Sequence, residues 1–163
     1  MIILGIDPGV RKVGYGVIEK SGKSVLYKTS GLIEPEKMPL AEQLKYIESR
    51  IEDIIQRERP KIAGVELLFF SKNKKTALAV AHARGVIINI LARHSIKIIE
   101  LSPADVKIGV TGYGNAAKKS VASMVEKILG IKTKNSADDI TDALAIAITA
   151  AFTSSFGVDN ISH

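Results

Sequence analysis

Carboxylates stand at the ends of apolar runs in three distant parts of the sequence. Asp7 closes IILGID, Glu66 closes KIAGVE, and Asp139 and Asp142 open DITDALAIAITAA. An apolar run implies burial, and a buried carboxylate without a partner is costly. Several converging in space point to a metal site or to acid–base chemistry. Asp139 and Asp142 are three residues apart, so on a helix they share a face. They fall in the first turn, where the helix dipole favours negative charge. A hard divalent cation needs such oxygen ligands gathered in one place. Two such cations on carboxylates can activate a water and stabilise the leaving oxygen of a phosphodiester. Each residue also has a plainer role open to it. Asp7-Pro8-Gly9 fits a turn, Ser136 to Asp139 fits a capping box, and Glu66 fits an ordinary strand end. Asp139 therefore stands as ligand or cap. Asp138 is rotated from Asp139 by about 100° on an α-helix and is read as N-terminal charge, with a secondary metal role left open.

The elements that must position these groups follow from periodicity. IILGID reads as a short buried strand ended by Pro8-Gly9. VGYGVIEK, 13–20, is a second strand, Ser21-Gly22-Lys23 a hairpin turn, and SVLYKTSGLIE a third strand, forming an antiparallel meander. After Pro39, Leu40, Leu44, Ile47, Ile51 and Ile54 repeat at helical spacing until Pro60 stops the helix. KIAGVE is the fourth strand, 75–94 a helix apolar on more than one face, and IKIIEL the fifth strand. SPADVKIGVTGYGN reads as a glycine-punctuated loop with a helical turn, its GVTGYGN part mobile. AAKKSVASMVEKILG is an amphipathic helix with Val121, Val125 and Ile128 on one side. KTKNS is a basic linker, and Ala137 to Phe152 a helix apolar almost all round. The pattern predicts an α/β fold, a five-stranded mixed sheet flanked by helices on both faces. Asp7 and Glu66 then lie at the ends of neighbouring central strands. One domain is expected over 1–153, followed by a flexible tail over 154–163.

Composition narrows the chemistry. The 163 residues are long enough for a real core, and 46% are hydrophobic, so the chain is globular. Lys and Arg number 23 against 17 Asp and Glu, a net charge of +6. A basic surface around an acidic centre suits a polyanion. There is no cysteine, which excludes disulfides, thiolate zinc sites, iron–sulfur clusters and cysteine nucleophiles. No signal peptide or membrane span is read, so the protein is expected in the cytoplasm. The three histidines have no ligand spacing and take no metal or catalytic role. GVTGYGN lacks the spacing of a nucleotide-phosphate loop.

GIDPG, VELLFFSKN, AHARGV and DDITDALAIAIT, in this order and spacing, resemble the RuvC family of bacterial Holliday junction resolvases. The resemblance runs from Ile2 to about Thr149. It implies a ribonuclease-H-like fold and a homodimer. It also implies Mg²⁺ or Mn²⁺, two ions per site, and symmetric nicking of two opposing strands of four-way junction DNA in recombination and repair. A branch-migration helicase complex is a further partner it implies. Carried over residue by residue, Asp7, Glu66 and Asp142 match family ligands, and Asp139 matches the position of the fourth. The small residues usual between the last pair are replaced by Ile140-Thr141, which face elsewhere on the helix.

Two aromatics precede a lysine run in ELLFFSKNKK, an arrangement suited to unstacked bases and phosphates. Phe69 matches the family position that inserts at the junction centre, while Phe70 is read as core. Lys107 and Lys118 match family lysines that hold the scissile phosphate. Lys119, Lys72, Lys74, Lys75 and Arg84 are read as backbone contacts, with a solvated charged face as the alternative. The second apolar face of the 75–94 helix is expected to meet a twin subunit. The rival readings are a non-catalytic junction-binding protein, an actin-type ATPase, for which the chain has no room, and a ribonuclease-H-like nuclease acting on another nucleic acid.

Overall fold

The computed structural model describes residues 1–9, 11–35, 37–68, 74–133 and 138–153. Among the described residues five strands and five helices follow one another, all but α3 as expected: β1 (Ile2–Asp7), β2 (Val13–Ser21), β3 (Ser24–Ile33), α1 (Leu40–Glu58), β4 (Ile62–Glu66), α2 (Lys74–Arg93), β5 (Lys97–Leu101), α3 (Pro103–Thr111), α4 (Lys118–Leu129) and α5 (Asp138–Thr153). The sheet order is β3-β2-β1-β4-β5. β1, β2 and β3 form the antiparallel meander, and β4 and β5 join parallel to β1. The parallel strands β1, β4 and β5 thus finish at the same end of the sheet.

Alternation along each strand divides the core in two. Leu4, Ile6, Val13, Val17, Ala63 and Val65 face α1 and α2, where Ile47, Ile51, Ile87 and Leu91 cover them. Ile3, Ile18 and Ile62 face the other way, under α3, α4 and α5. One step further along the same face the sheet carries glycine. Gly16, Gly5 and Gly64 are register partners across β2, β1 and β4, a row of three without side chains. Helix α5 lies in the groove so formed. A methyl added at Gly5 would run into the Ala143 carbonyl and stand 2.5 Å from the Ala147 amide. At Gly16 it would meet Leu144 at 2.7 Å, and at Gly64 it would meet Ala150 and Ile146 at 2.9 Å. Covered by α3 and α4 on its outer side, α5 is buried almost throughout Ala143–Ala151. Among the described residues no helix is long and apolar enough to cross a membrane.

One stretch differs from expectation. The segment read as a glycine-punctuated loop with a helical turn is a nine-residue helix, α3, from Pro103 through Thr111. Ser102 and Asp105 form a reciprocal capping box, Pro103 opens the first turn, and Gly112 closes the helix in the left-handed conformation. Gly109, which looked like loop punctuation, is a packing residue: a methyl there would press on Thr149 of α5 at 2.5 Å. Asp105 is exposed, and its carboxylate accepts from the amide and the hydroxyl of the cap residue Ser102.

Gly5→Ala tests the groove. The obstructing atoms are helix backbone, which cannot rotate aside. The substitution is expected to lower unfolding stability in urea by at least about 2 kcal/mol.

Candidate active site

Asp7 follows Ile3 and Gly5 on the α5 face of β1, and Glu66 follows Ile62 and Gly64 on the same face of β4. The β1–β4 register runs to Ile6↔Val65, so the two carboxylates leave adjacent strands one step beyond it. The first turn of α5 arrives from above. Its Asp139 carbonyl lies against Gly14, and Gly14 is the register partner of Asp7. Asp142 follows one turn along α5. Contact across a bare strand therefore brings carboxylates from three segments to one end of the sheet.

Their mutual influence appears in their acidity. Burial, then the carboxylates of Glu66, Asp142 and Asp139, push Asp7 from its ordinary 3.8 up to about 7, with Lys118 opposing. Burial and Asp142 raise Glu66, again against Lys118. Burial raises Asp142 too, opposed by its bond to Lys118. Lys118 opens α4, and its Nζ lies 3.0 Å from Asp142 and 3.3 Å from Asp138. Burial alone would lower its ammonium, but the bonds to Asp142 and Asp138 outweigh this and raise it.

Glu66, Lys107, Lys118 and Asp142 ring a cleft of ≈ 260 Å³ floored by Val106, Val121 and Ile146. Lys118 and Lys119 border a second cleft of ≈ 320 Å³ beside Asp138 and Thr141. Every candidate donor in the first cleft is a carboxylate oxygen, the donor type of a hard divalent ion. As the side chains stand, no three His, Cys, Asp or Glu groups among the described residues are close enough to grip one. Lys118 draws Asp142 toward itself, and like charges repel. The residues fit such an ion by donor type and by their shortage of positive charge.

The DNA-contact expectations divide. Lys107 is half-buried on α3, and Lys119 is exposed on α4. Lys74 begins α2. Phe69, Phe70 and Lys72 lie outside the described residues, as does the Ser136 end of the capping box read for Asp139. Arg84 has partners within the chain: its guanidinium bonds the Glu66 carbonyl and the Glu100 carboxylate. Asp138, set aside on helix geometry, is exposed but pairs with Lys118. Sequence reading passed over Lys12, which bonds Glu34 at 2.8 Å and feels Asp139. Its only signal was a cation shortly after the Asp7-Pro8-Gly9 turn.

Residues 3–150 match the family described as crossover junction endodeoxyribonuclease RuvC. The chain belongs to the RuvC family. A RuvC of Carboxydothermus hydrogenoformans is 46% identical over 90% of this chain and 93% of its own. One of Desulforamulus reducens is 45% identical over 96% and 98%. Thermus thermophilus RuvC, solved in complex with a Holliday junction substrate, superposes with a TM-score of 0.90 at 32% identity, covering 96% of each chain. Membership of the RuvC family implies divalent-metal dependence in general.

Asp7 sets a pH test. Its folded pKa lies above the unfolded one, so the folded chain holds a proton that the unfolded chain has lost between about pH 4 and 7. Stability without divalent ions is therefore highest below that window and falls as pH rises through about 7. Asp7→Asn is expected to flatten this dependence and to raise stability at pH 8 by at least about 1 kcal/mol, followed by urea unfolding.

Proposed function

We propose that this protein resolves Holliday junctions as a structure-specific DNA endonuclease, nicking two opposing strands symmetrically. The observation that carries the reading is the convergence of Asp7, Glu66, Asp139 and Asp142 from three segments onto one buried, electron-rich end of the sheet. These four would hold Mg²⁺, or Mn²⁺, as a pair of ions. Bound there, the ions supply an activated water and stabilise the leaving oxygen of the phosphodiester.

The chain's own groups prepare this. Burial with like charges leaves Asp7 ready to exchange a proton for a cation, and makes the Glu66 carboxylate less favourable until a cation joins it. The α5 backbone fixes where Asp139 and Asp142 start, and rotation of their side chains away from Lys118 would complete the ligand set. Lys107 and Lys118 sit at the cleft where a scissile phosphate would lie, placed to offset negative charge that builds in the transition state. Lys119 and Lys12 would extend a basic track for the DNA backbone, and Phe69 matches the family position that inserts at the junction centre. A homodimer supplies the second cut. On α2 the outward Leu78 is 64% exposed, and Val80, Val86 and Ile88 are half-buried, which supports an apolar face for the second copy.

The test uses a synthetic four-way junction beside a linear duplex of the same sequence. Paired nicks in the junction are expected with Mg²⁺, and little cutting of the duplex. Glu66→Gln and Asp7→Asn are expected to bind junctions normally and to cut at least about 100-fold more slowly. Junction affinity should fall with salt at a log–log slope of roughly −0.7 to −0.9 per phosphate contact. Binding with no metal-dependent nicking would instead favour a non-catalytic junction-binding protein.

A further inference from the structure

We infer that Arg84 is a positioning residue for the nuclease centre, holding the end of β4, and with it Glu66, from behind the sheet. The inference rests on the reading of Glu66 as a metal ligand.

Arg84 belongs to α2, which packs on the face opposite α5. Its Nε–H donates to the backbone carbonyl of Glu66 at 3.1 Å. Its Nη2 pairs with the carboxylate of Glu100 on β5. The side chain is only 17% exposed. One guanidinium thus joins the last residue of β4 to β5 and to α2. A planar fork can do this because its N–H donors point at fixed angles, whereas a lysine ammonium is a single point charge.

Glu66 has need of such a hold. Its pairing with Leu101 keeps it against β5, and the next amide, Leu67, donates to the Leu101 carbonyl at 2.8 Å. Toward β1, however, the register ends at Ile6↔Val65. The residue that must aim a carboxylate at Asp7 and Asp142 thus stands one step past the last register pair toward β1. Arg84 supplies a further restraint through the carbonyl, leaving the Glu66 side chain directed to the opposite face. Groups that orient a metal ligand in this way typically govern metal affinity by about 10–100-fold.

The experiment compares the full-length protein with Arg84→Gln, Arg84→Lys, Glu100→Gln and Glu66→Gln. Mn²⁺ uptake by the DNA-free protein is read by water-proton relaxation. Junction affinity is read without divalent ions across a salt series, and folding by urea midpoint. Arg84→Gln is expected to weaken Mn²⁺ uptake about 10–100-fold while junction affinity and its salt slope stay unchanged. Arg84→Lys should not restore uptake, and Glu100→Gln should weaken it less. Glu100→Gln leaves the bond to Glu66 in place, so it carries the test should Arg84→Gln fail to fold. A junction affinity that drops, with the salt slope reduced by about 0.9, would make Arg84 a phosphate contact and overturn the inference. A lowered urea midpoint with Mn²⁺ uptake intact would reduce Arg84 to a purely structural residue. Should Glu66→Gln also leave Mn²⁺ uptake unchanged, the metal-site reading fails, and the inference with it.

Discussion

Helix α5 meets the sheet backbone to backbone. Helix carbonyls of Ala143 and Asp139 lie against Gly5 and Gly14, where any side chain would intervene. Interiors are packed densely enough that such contacts are nearly incompressible. The separation between helix and sheet is therefore set by main-chain atoms and not by adaptable side chains. From that separation follow the depth of α5, its enclosure by α3 and α4, and the height at which Asp139 and Asp142 approach Asp7 and Glu66. The site is a by-product of this single contact.

The contact also concentrates charge. A row of glycines permits close approach, and close approach gathers carboxylates in a partly buried place that none of them would choose alone. Lys118 relieves part of the imbalance by bonding Asp142, and Asp138 shares that lysine from outside. The remaining deficit of positive charge is what makes the cleft receptive to cations. The fold holds the carboxylates together against their repulsion because α5 has no alternative seat. Stability spent at one end of the sheet is recovered from the two apolar cores that flank it.

Much of this was legible in the residues. The meander, the parallel strands and the long helices follow from alternation, from 3.6-residue periodicity and from Pro39 and Pro60. Asp7, Glu66 and Asp142 were visible because charge at the end of an apolar run is anomalous. The glycine row was not, although all three glycines are in plain view. Their meaning depends on register, a non-local property that no single run of residues carries. Helix α3 was missed for a different reason. Gly109 and Gly112 read alike in sequence, yet one gives room to Thr149 and the other ends the helix with a left-handed turn. Its Ser102-Asp105 capping box was the available signal, and it was outweighed by glycine content. The inward partners of Arg84 were not legible, because an isolated arginine in a basic chain gives no hint of whether it points inward.

The position of α5 in the chain also bears on when the protein becomes a nuclease during its own synthesis. Strands β1 and β4, with Asp7 and Glu66, leave the ribosome well before α5 has been made, and domains generally fold as units, N-terminal parts first. A nascent chain of that length has two of the four carboxylates and an uncovered glycine groove. The groove also leaves Ile3, Ile18 and Ile62 without their cover. Cleavage chemistry is thereby withheld until the sheet is complete and its last helix has docked, so a truncated chain lacking α5 would lack half of the proposed ligand set.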